Sequence, residues 1–190
     1  MIETGLGGQI DRVLTNPWNP KTDLGGTNPL GKVPAMITSD GVENFDSRVI
    51  CDHLDALHDG EGLYPLEPKT RLVALRLQAL ADGILDVAIS RLLVEEHRRP
   101  REYCWPVWRD SQATVMNRSL DWLKERRSLL DSGLTIGSIA VDCMLGYLDF
   151  RYAAQDWRQG HDGLASWYSS FAQRPSMHDT AASGVIKTRC

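Results

Sequence analysis

A proline inside a short apolar run, Pro34 within NPLGKVPAMI at residues 28–37, restricts the fold more than any other residue. Residues 33–37 are bounded by the polar turn Thr38-Ser39-Asp40-Gly41 and so read as a buried strand, yet Pro34 has no N–H to give a sheet ladder. Two readings are open. Pro34 occupies a loop or edge position without function, or the Val33-Pro34 bond is cis and turns a backbone N–H and C=O outward to meet a ligand.

The surrounding pattern places this run in a small mixed unit. Residues 9–14 read as a strand that Asn16-Pro17-Trp18-Asn19-Pro20 stops. The runs 33–37 and 42–45 flank Asp40-Gly41, a hairpin signal. Residues 47–57 read as a helix with Ser47 as N-cap and Val49, Ile50, Leu54 and Leu57 on one face. The pattern changes near Gly60, so residues 1–60 form one α/β or α+β unit and residues 68–190 another, all-helical one.

The helical part opens with a helix over 68–99, where Leu77, Leu80, Ile84, Ala88 and Leu92 recur every three or four residues behind Pro68. The aromatic stretch 101–109, with Tyr103, Trp105 and Trp108 around Pro106, reads as a break whose rings pack or line a cavity. A helix over 111–130 follows, with Met116, Leu120, Leu123 and Leu130 on one face and Gly133 at its end. In LTIGSIAVDCMLGYLDF, Thr135 as N-cap puts Ser138 at N3, with Leu134 and Ile139 as a hydrophobic staple. That helix is apolar nearly all round and belongs at the centre of its domain. A last helix over 163–171 presents Leu164, Trp167, Tyr168 and Phe171, and the tail after Pro175 reads as loose.

Composition removes several function classes. A net charge of -4 and a pI of about 5.7 give no electrostatic footprint for nucleic acid or an anionic membrane surface. The stretch 134–150 is broken by Asp142 and Asp149 and is too short to span a bilayer, and MIETGLGG lacks the features of a signal peptide. Cys51, Cys104, Cys143 and Cys190 show no CxxC or Cys/His metal spacing, so no metal site is expected and a reduced, cytoplasmic setting is the consistent reading. Cys51 and Cys143 lie among apolar helical residues and read as small buried thiols.

A thioredoxin-like unit with a proline before its third strand, joined to a helical domain with a capped central helix, resembles the glutathione S-transferase superfamily. NPLGKVPAMI, FDSRVICDHLD, LTIGSIAVDCMLGYLDF and GLASWYSSFAQRPSM carry the resemblance, and ALADGILD and MNRSLDWL look like its bacterial branch. The order matches over nearly the whole chain. The implied fold is a thioredoxin-like glutathione-binding domain, here N-terminally incomplete, followed by an all-helical domain.

The resemblance also implies roles. Val33, before a cis Pro34, would pair its backbone with the cysteinyl part of glutathione as an added strand does. Asp46 and Ser47 match the acid-serine pair that holds the γ-glutamyl end, and Lys32 is a weaker candidate for the glycine carboxylate. Physics supports the pair independently, since a serine heading a helix offers its hydroxyl and the following N–H groups to a carboxylate. Simple helix capping is the competing reading.

One departure concerns the chemistry. Relatives open with a strand and turn bearing the Tyr, Ser or Cys that acts on the glutathione sulfur, whereas IETGLGGQI looks like the end of the helix after that turn, with Gly5 and Gly7 as stops. A strand, turn and first helical turns of about 15 to 20 residues would precede it. No catalytic residue is therefore nominated; Ser39 and Cys51 qualify by type alone. The expected function is transfer of the glutathione thiolate to an apolar electrophile held against the helical domain, by a homodimer. The alternative is a non-catalytic glutathione-binding or dimeric interaction protein.

Overall fold

The computed structural model describes residues 1–96 and 98–182. His97, Cys190 and the side chain of Leu92 lie outside the described residues. The chain divides into a unit Met1–Tyr64 and a second unit from Pro65.

In the first unit, residues 2–5 turn into a 3-10 helix, Leu6–Gln9, entered through Gly5 at a φ of 72°. Residues 9–14, read as a strand, form none: Gln9 closes the 3-10 helix and residues 10–14 run without a ladder partner among the described residues. Apolar alternation does not make a strand without a neighbour to pair with, and Val13 and Leu14 are left exposed. A helical turn, α1 (Leu24–Thr27), leads to β1 (Ala35–Ile37), which pairs antiparallel with β2 (Glu43–Phe45). The register sets Ala35 opposite Phe45 and Ile37 opposite Glu43. Thr38 closes the hairpin, its N–H donating to the Val42 carbonyl at 3.0 Å, while Gly41 takes the positive φ of 86° that the turn requires. Paired on one side only among the described residues, the run is an edge strand, so Val33 and Ile37 are exposed where a buried strand was expected.

Helix α2 (Ser47–Asp55) covers the hairpin with Ile50 and Leu54, which join Leu6 in a small core against which Ile10 and Met36 pack. Val49 and Leu57, placed by the sequence on the same face, are exposed; the helix ends two residues before Leu57.

The second unit is helical. Helix α3 (Pro68–Ile89) starts at Pro68, and the Glu67 carboxylate accepts the Lys69 and Thr70 N–H groups in front of it. Its last part widens into a π-helix, Ser90–Glu96, instead of continuing to residue 99. There the Arg91 guanidinium lies 5.4 Å from the Tyr152 ring and the buried Glu95 carboxylate accepts the Trp105 N–H. Helix α4 (Pro106–Glu125) begins five residues before the expected start because Pro106 sits at N1, and Arg127–Ser132 continues as a 3-10 helix to Gly133. The break between the helices is therefore present but ends at Trp105, the N-cap of α4; Tyr103 and Trp105 are exposed instead of packed or lining a cavity, and the half-buried Trp108 lies inside α4.

Helix α5 (Ile136–Arg151) is the centre, as its composition implies: Val141, Met144 and Leu145 are fully buried. The capping box is formed, Ser138 N–H donating to Thr135 Oγ1 at 3.2 Å and Thr135 N–H to Ser138 Oγ at 2.9 Å. Leu77, Ala81 and Ile84 of α3, Met116, Leu120 and Leu123 of α4, and Leu164 of α6 (Asp162–Phe171) surround it. Cys143 points away from this core and is exposed, and Cys51 is half-buried, so neither is the buried thiol expected. Pro175 starts a further helical turn, α7 (Pro175–His178), where a loose tail was anticipated.

Candidate functional site

The hairpin brings together the two sequence segments singled out for ligand contact. Pro34 immediately precedes β1 and Asp46 immediately follows β2, so the antiparallel register places them across from each other at the same end of the ladder. The Val33-Pro34 peptide is cis. No hydrogen bond from the described residues reaches the Val33 N–H or C=O, so this backbone edge is open. Lys32 stands exposed next to it.

Asp46, not Ser47, is the N-cap of α2. Its Oδ1 accepts the Arg48 N–H at 3.0 Å and the Arg48 Nε–H at 3.3 Å. A carboxylate one residue ahead of the helix reaches the N2 donor directly, which displaces serine from the cap. The Arg48 N–H, then the Arg48 guanidinium and more weakly the Lys32 ammonium hold the Asp46 carboxyl below its usual range. Asp46 adopts this position at a φ of 68°, a left-handed backbone that few non-glycine residues take. Ser47 becomes the first helical residue, half-buried, and its hydroxyl meets no partner among the described residues. A carboxylate side chain, a free hydroxyl and a helix N-terminus thus converge beside an unpaired peptide edge. That set complements a zwitterionic amino-acid end group attached to an extended peptide.

Sequence reading passed over Asn28, the first residue of the motif. It is 1% exposed, and its Nδ2 donates to the Lys32 carbonyl at 2.7 Å while its Oδ1 accepts the Leu30 N–H at 2.9 Å. The Asn-Pro step was the available signal, since it marks a side chain bonding to its own turn.

Two grooves lie within the helical unit and contain none of these residues. One of about 630 Å³ runs along α3 and α4 past Arg76, Leu80, Arg118 and Trp122; another of about 530 Å³ is bordered by Asn117, Asp121, Trp157 and His161. Among the described residues, no group of three or more His, Cys, Asp or Glu side chains is placed to hold a metal, and no helix is long and apolar enough to cross a membrane.

An open strand edge and a helix N-terminus on a thioredoxin-like unit, followed by an all-helical unit, define a glutathione transferase fold. Residues 1–57 match the glutathione S-transferase N-terminal domain and residues 106–170 the C-terminal domain. The chain belongs to the glutathione S-transferase superfamily. It is 33% identical over 183 residues to an uncharacterized GST-like protein of Escherichia coli K12, YibF, covering 95% of this chain and 89% of that protein. A glutathione transferase family member from Pseudomonas fluorescens Pf-5, solved with bound glutathione, is 39% identical with a TM-score of 0.90, covering 96% of this chain and 90% of that one. A glutathione S-transferase from Methylobacillus flagellatus KT, also solved with glutathione, is 33% identical with a TM-score of 0.85 over 91% of this chain and 87% of its own.

Proposed function

We propose that the chain binds glutathione along the Val33 edge and presents its thiolate to a small apolar electrophile, as a cytoplasmic homodimer. The observation that supports this is the open Val33 N–H and C=O beside Asp46 and Ser47. The cysteinyl residue of glutathione pairs with Val33 as a short antiparallel strand after which Pro34 turns the chain. The γ-glutamyl carboxylate takes the Ser47 hydroxyl and the first N–H groups of α2, and its ammonium meets Asp46, whose lowered pKa keeps it charged throughout the neutral range. Lys32 is the partner for the glycine carboxylate. In the transfer step a C–S bond forms at the electrophile and its leaving group departs; with a chlorinated nitrobenzene, chloride leaves.

A second reading is a glutathione-binding or dimeric interaction protein without catalysis. It is favoured by the sheet: among the described residues β1 pairs with β2 alone, and no strand beside the Val33 edge carries a hydroxyl or thiol toward a bound sulfur. No residue is assigned to lowering the thiol pKa, which lies near 8.5 when free.

Calorimetric titration of the full chain with glutathione, followed by conjugation of 1-chloro-2,4-dinitrobenzene, tests both. Saturable binding with turnover supports the transferase, and binding with negligible turnover the second reading. Absence of saturable binding sinks both glutathione readings.

A further inference from the structure

The Lys32-Val33 peptide is held from inside the fold. Asn28 is buried, and each kind of polar group it carries has a partner within its own loop. Its N–H donates to the Leu24 carbonyl at 2.8 Å and its carbonyl accepts the Gly31 N–H at 2.8 Å. Its side chain bonds Leu30 N–H through Oδ1 and the Lys32 carbonyl through Nδ2. Gly31, at a φ of 62°, supplies the reversal that lets the chain return within reach of Asn28.

Peptide planarity converts this into a statement about Val33. In a trans peptide the C=O of one residue and the N–H of the next point in opposite directions. With the Lys32 carbonyl drawn toward a buried amide, the Val33 N–H is aimed away from the loop interior, at the open edge. We propose that Asn28 is the positioning residue of the ligand edge: it fixes the Lys32-Val33 peptide plane and thereby the direction in which Val33 offers its donor. The inference rests on the glutathione reading above and adds to it a residue that touches no ligand.

Binding of S-methylglutathione to the full chain tests it, because the blocked thiol contributes no titration. Asn28→Asp keeps the acceptor for Leu30 but sets a carboxylate against the Lys32 carbonyl. Its affinity falls about tenfold at about pH 8, the scale of one lost hydrogen bond, and recovers toward the parent value near pH 5 as the carboxyl gains a proton to donate. Asn28→Ala, with neither group, is weakened at both pH values. A general loosening of the fold would not recover on acidification. A folded Asn28→Asp chain with parent affinity at the higher pH, or a loss that acid does not reverse, overturns the inference. Should that variant not fold, parent-like affinity in Asn28→Ala overturns it equally. No binding by the parent chain overturns the glutathione reading itself, and this inference with it.

Discussion

Asp46 Oδ1 accepts the Arg48 N–H at 3.0 Å, so the residue assigned to the ligand's ammonium group also starts helix α2. The two duties separate on substitution. Glycine takes the φ of 68° without the strain of about 1–3 kcal/mol charged to other residues, and glycine at an N-cap costs only a few tenths. Asp46→Gly is expected to keep stability within about 1 kcal/mol of the parent in urea unfolding while its affinity for glutathione drops about tenfold or more. Parent-like affinity in this variant would remove Asp46 from the site.

Ser47 gives the complementary case. Its hydroxyl has no partner among the described residues, so the fold does not depend on it. Ser47→Ala should shift unfolding by no more than about 0.5 kcal/mol and weaken retention on immobilised glutathione about tenfold. Unchanged retention counts against the anion site.

Much of this arrangement was legible because it is local. The hairpin at Asp40-Gly41, the Thr135 cap and the core faces of α4 and α5 follow from turn chemistry and periodicity, which short stretches of sequence carry in full. The cap of α2 was misassigned by one residue because Asp46 and Ser47 are both good caps, and only the left-handed backbone of Asp46 decides between them. Residues 9–14 failed as a strand because pairing depends on a neighbour that no local pattern supplies. Asn28 was missed for a related reason: its importance lies in burial, and an Asn-Pro step looks the same in an exposed turn.

Asp142 makes stability depend on pH. It is buried on α5, its Oδ1 meets no hydrogen-bond partner among the described residues, and burial pushes its pKa up to about 7. The unfolded chain releases this proton near 3.8, so the folded state holds it longer. Its contribution is therefore fully present below pH 3.8 and is lost as the pH rises toward about 7. Asp142→Asn is expected to be more stable than the parent above neutrality, by about 1–3 kcal/mol, with the gap shrinking on acidification. Urea midpoints on both sides of the window check the sign; a gap that does not change with pH would contradict it.

Dimer formation, proposed above, should involve the outer face of α3. Leu72 and Leu75 are exposed at 65% and 37%, and Ala79 and Gly83 extend the same stripe at helical spacing. Such a run of apolar and small residues is suited to close helix contact with a second copy. Leu72→Glu combined with Leu75→Glu is expected to give a monomer in light scattering with the helical content of the parent. A dimer that survives both changes lies elsewhere on the surface.

The sharpest packing prediction concerns Gly137, in the first turn of α5. A Cβ there would fall 2.5 Å from the Ala74 carbonyl oxygen and 2.9 Å from both the Ala74 Cα and the Leu77 Cβ. Two of these obstacles are backbone atoms and the third is a Cβ attached to backbone, so no rotamer change moves any of them aside. Further along, the Tyr152 hydroxyl donates to the Ala88 carbonyl at 2.7 Å, so α3 and α5 are tied at the far end and cannot simply slide apart. A methyl group at Gly137 must then separate the helices where Leu77, Val141 and Leu145 fill the core. Overpacking of this kind costs about 1–3 kcal/mol or more, well beyond the gain of about 0.5–1 kcal/mol that alanine normally brings to a helix. Gly137→Ala should therefore be destabilised by about 2 kcal/mol or more in chemical unfolding, against the direction helix propensity alone would give. A neutral or stabilised variant would show that α3 and α5 do not approach this closely in solution.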